Sequence, residues 1–274
     1  MSARGTGRAK GFDWRATPGL APFSALVMVF LYAPLVVLVV FAFNASNLAM
    51  VWGGFSLEWF GKAIANEDLR RSALNSIVVA VTATVVATAV AVPAALALER
   101  GRAFLGKSAA EALVALPLVA PEIVTAIATL VFFSAVGLRL GLGNVIIAHT
   151  VFCIPFALLP IRARLRDMPR DVEDAARDLY ADEARVFLKV TLPLMMPGIV
   201  AGAMLAFIVS LDDFLITLMV AEAGATTLPV YLYGMLRLGV TPVANAAATL
   251  LLAASVAAVV VMFLVMRRGG RATA

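Results

Sequence analysis

The sequence predicts an all-α, polytopic membrane protein with six transmembrane helices. Three observations carry that expectation. Of 274 residues, 62% are hydrophobic and only 14% are charged, against roughly 25% charged in a soluble domain. The mean hydropathy is +0.98. Long apolar runs recur along the chain, and the polar connections between them are alternately rich and poor in lysine and arginine.

A hydrocarbon core of about 30 Å takes about 20 apolar residues per helix. Six segments meet this requirement: Phe23 to Phe43, Leu74 to Leu98, Ala112 to Val136, Val145 to Pro160 extending toward Leu165, Leu194 to Val220, and Val243 to Met266. The first follows basic residues, but it is too long for a leader and lacks a small-residue cleavage site, so it reads as a retained helix. The fourth is short and holds Pro155 and Pro160. Membrane helices tolerate proline where neighbours satisfy the freed backbone groups. Residues 1–22 and 267–274 are the tails of a single membrane domain, 23–266.

Basic residues set the expected orientation. The N-terminal tail, the second and fourth connections and the C-terminal tail together hold seventeen, including Arg4, Arg8, Lys10, Arg15, Arg102 and Arg271. The other three connections hold five: Lys62, Arg70, Arg71, Arg139 and Arg237. By the positive-inside rule both termini and the loop at 166–193 are cytoplasmic. This asymmetry accounts for the net charge of +5 without a nucleic-acid partner.

Gly101-Arg102-Ala103-Phe104-Leu105-Gly106-Lys107-Ser108 satisfies the letters of a phosphate-binding loop. Such a loop needs a buried strand before it and a sheet to support it. A short connection between two membrane helices supplies neither, so the stretch reads as a basic turn at the headgroups. Cys153 is the only cysteine, which excludes an intrachain disulfide and a multi-thiolate zinc site. The sequence offers no catalytic constellation, cofactor site or metal site.

Ionisable residues inside membrane segments are costly, about 2.5 to 3.5 kcal/mol each on translocon scales, and so are informative. Glu122 follows Pro121 in the third segment, and Asp212 and Asp213 are adjacent in the fifth. Neighbouring helix positions diverge by about 100°, so the two aspartates serve different directions. One can face a water-filled path, where carboxylates attract a cation. The other can bond to backbone freed at a helix break. His149, the only histidine, is expected to hydrogen-bond across helices. Trp59, Tyr231 and Tyr233 are expected at a membrane interface or on a surface that meets another protein.

The connection between the fourth and fifth segments reads Asp171-Val172-Glu173-Asp174-Ala175-Ala176-Arg177-Asp178-Leu179-Tyr180, then Val190-Thr191-Leu192-Pro193 and Pro197-Gly198-Ile199. Val172, Ala175, Ala176, Leu179, Tyr180, Ala184, Phe187 and Leu188 recur at the spacing of one helix face. A soluble amphipathic helix needs a cover for that face.

This stretch resembles the EAA loop of ABC-importer permeases. Asp174, Ala175 and Ala176 fill the Glu-Ala-Ala places, and Val190, Leu192 and Pro193 fill Ile-x-Leu-Pro. Tyr180 stands where the pattern has Gly, a residue suited to the left-handed turn between two short helices. Leu116 to Val124, Ala148 to Cys153, Ser210 to Phe214, Gly224 to Pro229 and Gly239 to Ala246, with Val240 among them, are similar to the second permease subunit of spermidine/putrescine importers. The resemblance implies a type I ABC importer permease fold in a bacterial inner membrane. Cytoplasmic coupling helices would engage an ATPase through Glu173, Asp174, Ala175, Ala176, Leu179, Tyr180 and Pro193. It further implies a homologous permease as partner, two cytoplasmic ATPase subunits that carry out ATP hydrolysis, and a periplasmic or lipid-anchored substrate-binding protein. The chain itself would not be an enzyme. Polyamines are the implied substrate, with opines or aminoalkylphosphonates as alternatives; Glu122, Asp212 and Asp213 are the candidates for the substrate path. An ion-coupled secondary transporter could also use these acids, but no internal repeat of the expected kind is found.

Overall fold

The computed structural model describes residues 19–47, 51–101, 104–139, 141–239 and 241–269. Arg4, Arg8, Lys10, Arg15, Arg102, Val240 and Arg271 lie outside them. Among the described residues the only bridge between extended segments joins Asn44 and Phe55; the regular structure is helical.

The first helix, α1 (Leu20–Ala42), is apolar on every face, and most of its large side chains are exposed, Phe30 by 77%. Such a surface requires lipid or another helix around it. A short α2 (Glu58–Ala65) leads into α3 (Glu67–Glu99), which is capped where the Asn66 side chain accepts from the Leu69 N–H at 2.9 Å. Among the described residues four helical stretches are long and apolar enough to cross a bilayer: α1, α3, α6 (Leu142–Asp167) and the stretch Glu183–Asp212.

Two expected spans are broken. The third is a pair, α4 (Lys107–Val119) and α5 (Glu122–Val136), bent by 112°. The cause is local: Pro121 pushes the residue before it out of the helical region, and Ala120 is extended at φ −67°, ψ 141°. The fifth stops at Asp212 and resumes after Phe214 as α10 (Leu215–Val220). At its other end the fifth begins earlier than Leu194. The loop helices α7 (Asp171–Asp178) and α8 (Glu183–Val186) lead through a π-helical turn, Phe187–Thr191, directly into α9 (Leu192–Asp212). Pro193 has no N–H to give the Lys189 carbonyl, and the wider turn, closed by the Leu192 N–H on the Phe187 carbonyl, accommodates the loss. Last come α11 (Leu228–Arg237) and α12 (Pro242–Gly269). The helix α12 is 28 residues long, and its described apolar part is Pro242–Ala257.

The centre of the fold is the trio α3, α6 and α9. A stripe of small residues on α3, Ala83, Ala87, Ala91 and Ala95, is fully buried at four-residue spacing. Ala87, Ala91 and Ala95 pack in one cluster with Cys153, Ala157, Ile161 and Leu165 of α6 and with Met195 and Ala206 of α9. Small residues let membrane helices approach closely and gain dispersion contacts. Gly198 and Gly202 extend this to α9: an added Cβ at Gly202 would meet the Ala157 carbonyl oxygen at 2.3 Å. Cys153 is a packing residue, its Sγ 3.4 Å from the Ala206 carbonyl.

A second cluster holds the opposite end of the bundle, around Trp59, Leu69, Leu228 and Leu232. Trp59, expected on a surface, is buried and donates to the Asn44 carbonyl at 2.6 Å. Tyr231 is half-buried there, whereas Tyr233 stays exposed against Phe214.

Candidate functional site

Two places concentrate the candidate residues, and the long α8–α9 stretch joins them. At the helix breaks, the N-termini of α5 and α10 come together, since α5 packs on α10. Asp213 is buried and its carboxylate is fully engaged. Oδ1 accepts from the Ile216 N–H at 3.4 Å, and Oδ2 accepts from the Thr217 N–H and hydroxyl, each at 3.0 Å. His149 Nε2 lies 3.1 Å from the same Oδ2. Asp213 thus caps the resumed helix and anchors it to α6. The His149 ring is buried, with Nδ1 2.8 Å from the Ser210 hydroxyl. The ring thus joins Asp213 at the break to Ser210 of α9, which makes His149 a cross-helix strut.

The other two acids are free of that duty. Glu122 is exposed at the first position of α5, and its carboxyl lies in reach of Asp213 and Asp212. Asp212, also exposed, lines a cavity of about 300 Å³ with Phe207, Leu211, Leu251 and Ser255. Of the three acids, the sequence alone could not say which was structural; the answer lies in the helix break after Asp212. Among the described residues no group of His, Cys, Asp and Glu is placed to hold a metal ion.

At the loop, the apolar face is outward. Val172, Ala175, Leu179, Tyr180, Ala184 and Leu188 are exposed, while Asp174 and Pro193 are exposed beside them and Ala176 is half-buried. Glu173 points the other way: it is buried, accepts from the Thr191 hydroxyl at 3.1 Å and pairs with Arg100 at 3.5 Å. It therefore belongs to the joint between loop and membrane domain, not to the outward surface. The joint is extensive. Arg100 also donates to the Met168 carbonyl at 2.9 Å, Arg170 to the Glu99 carbonyl at 2.9 Å, and Arg164 to the Leu194 carbonyl at 2.8 Å. Arg162 bridges Glu99 and Glu111, and Arg166 adds a second ion pair to Glu99. The many arginines of this connection, which signalled orientation in the sequence, also tie α3, α4 and α6 to the loop. On the exposed side Arg177 bridges Glu183 and Asp174, each at 2.8 Å, and these carboxylates push its pKa further up.

Between α7 and α8 the chain turns through Tyr180 at φ +61°. The Tyr180 N–H bonds the Arg177 carbonyl at 2.9 Å and the Ala181 N–H bonds the Ala176 carbonyl at 3.2 Å. This is the Schellman arrangement, which usually has glycine at the left-handed place. The turn is made in full with tyrosine. The stretch that matched a phosphate loop lies between α3 and α4, with Gly106 at φ +92° as the N-cap of α4.

The arrangement is that of a transport subunit: a membrane bundle with an acid-bearing break, joined by a continuous helix to an exposed amphipathic loop. The family model "Binding-protein-dependent transport system inner membrane component" matches residues 87–269. The chain belongs to this family. The permease is 37% identical over 231 residues to the putrescine transport system permease protein PotI of Escherichia coli K12, covering 82% of each chain. It is 35% identical over 228 residues to the spermidine/putrescine transport system permease protein PotC of Haemophilus influenzae, covering 83% of this chain and 88% of that one. Two solved structures share its fold. One is a bacterial ABC transporter that imports the acidic polysaccharide alginate, at TM-score 0.66 and 17% identity over 90% of this chain and 94% of that one. The other is the MetNI methionine transporter, at TM-score 0.62 and 22% identity over 73% and 95%. The permease therefore has the fold of type I ABC importer subunits, and it is a membrane-embedded, non-catalytic component.

Proposed function

We propose that the permease forms half of the translocation pore of an ATP-driven polyamine importer, with putrescine or spermidine as cargo. The observation that carries this reading is its similarity, over four fifths of its length, to putrescine and spermidine permeases. The acids fit that cargo. A polyamine alternates ammonium groups with methylenes; Asp212 offers a carboxylate beside the apolar walls of Phe207 and Leu251, and Glu122 lies within electrostatic reach of it. Asp213 supports the path by holding the break open.

In this reading a homologous permease completes the pore, two ATPase subunits dock below, and a periplasmic or lipid-anchored binding protein delivers cargo from outside. Residues 1–22, 166–193 and 267–274 are cytoplasmic around the 23–266 membrane domain, as the distribution of basic residues supports. Asp174, Ala175, Ala176, Leu179 and Tyr180 form the surface that meets the ATPase. Glu173 and Pro193 form the joint through which its movement reaches α9. Because α8, the π turn and α9 are one stretch, a push on the loop reaches Asp212 along about 45 Å of helix at 1.5 Å per residue over Glu183–Asp212.

The test is uptake of labelled putrescine by cells lacking their own polyamine importers, supplied with this permease, its partner permease, ATPase and binding protein. Uptake should require the permease and the ATPase together. An assembled complex that carries no polyamine would refute the cargo, and polyamine uptake without the ATPase would refute the importer.

A further inference from the structure

We infer that Tyr180 is a docking anchor: its ring enters an apolar slot on the ATPase subunit that this loop meets and supplies a large share of the binding. The inference rests on the docking role proposed for this loop and adds a residue whose work the fold does not need.

Tyr180 is the only non-glycine residue with positive φ among the described residues. Left-handed backbone is unfavourable for a side chain with a Cβ, and it persists only where surrounding structure imposes it. Here the two capping bonds at the end of α7 impose it. Glycine would make the same turn without strain, so the turn does not account for tyrosine. Neither does packing, because the side chain is 96% exposed, and its neighbour Leu179 is 82% exposed. Among the described residues this strained, solvent-facing aromatic next to an exposed leucine has no stabilising partner. It sits at the tip between the two short helices.

The surroundings describe the slot. Asp171 and Asp178 of α7, with Asp174 paired to Arg177, are exposed near the apolar pair. The complementary surface is therefore an apolar cleft with a basic rim. Buried aromatic anchors dominate binding in such clefts, whereas the exposed charges around them steer the encounter. The α7 scaffold is firm enough to present the ring, because Glu173 holds it from below and Arg177 clamps it to α8 through Glu183.

The test uses the full complex in membranes, with Tyr180→Gly, Tyr180→Phe, Tyr180→Asn and Ala175→Arg. ATPase affinity is read by titrating labelled ATPase, and the permease by its unfolding midpoint. Tyr180→Gly should leave the midpoint unchanged or higher, since strain is released, and weaken ATPase binding at least tenfold. Tyr180→Phe should keep binding within about threefold. Tyr180→Asn, which tolerates the left-handed turn but has no ring, should bind as weakly as the glycine variant. Unchanged affinity in Tyr180→Gly, or a lowered midpoint with it, overturns the anchor. If Ala175→Arg abolishes binding while Tyr180→Gly does not, the docking role stands and the anchor alone falls. If neither variant weakens binding, both fall.

Discussion

Replacing Gly202 by alanine tests the packing on which the whole fold depends. The added Cβ would lie 2.3 Å from the Ala157 carbonyl oxygen, and ordinary contact begins at 3.4 Å. The atom it meets is backbone, so no side-chain rotation gives relief. The two helices must separate by about 1.1 Å, the difference of those distances, and a radial gap of about that size forfeits a quarter to a half of each dispersion contact facing it. Those contacts belong to Cys153, Ala157, Ile161, Met195 and Ala206, all fully buried. Overpacking of this kind costs about 1–3 kcal/mol, and the upper end applies where backbone is the obstacle. The assay is thermal or denaturant unfolding of the detergent-purified permease, beside Gly234→Ala. Gly234, exposed on α11, has nothing within 4 Å of an added Cβ. That control should gain about 0.5–1 kcal/mol, as alanine does over glycine in a helix. Equal midpoints for Gly202→Ala and the parent, with the control behaving as stated, would refute the close approach of α6 and α9.

The acids should separate by variant. Asp212→Asn should leave stability within about 0.5 kcal/mol, being exposed, yet reduce putrescine uptake about tenfold, equivalent to the loss of about 1.4 kcal/mol of cation attraction. Asp213→Ala should instead lower stability by about 1–3 kcal/mol, since it leaves His149 and the start of α10 without their acceptor; uptake lost with a normal unfolding midpoint would contradict this. Asn44→Ala should loosen residues 51–56 to protease and cost about 2–3 kcal/mol, because the Asn44 side chain accepts from the Ser46 and Gly53 N–H groups and donates to the Val51 carbonyl. Glu173→Ala should cost about 1–3 kcal/mol by leaving the half-buried Arg100 without its counter-charge and Thr191 without its acceptor, and uptake per assembled complex should fall with it; retention of full uptake would show that the joint does not pass on the loop's movement.

How far the sequence revealed this molecule depends on the scale of the determinant. Apolar length and alternating charge are properties of windows of about 20 residues, and they marked α1, α3, α6 and the core of α9 without any knowledge of neighbours. The break at Pro121 was marked by its residue, because proline acts on its own backbone and on the residue before it. The break after Asp212 carried no such mark. It is stabilised by Asp213, Thr217, Ser210 and His149, and His149 lies 61 positions of chain from its partner Ser210. The same partnership assigned Asp213 to structure and left Asp212 and Glu122 free. For the loop, spacing identified the apolar face but not its direction, because an amphipathic helix alone does not say which face the rest of the chain covers. Glu173 settles this from the inside. A lone acid on the covered face is stable only with Arg100 and Thr191 beside it, and those partners come from the end of α3 and the π turn. Tyr180 shows the converse. The sequence placed an unfavourable residue at a left-handed turn, and the fold made the turn regardless, which locates the reason for tyrosine outside the chain.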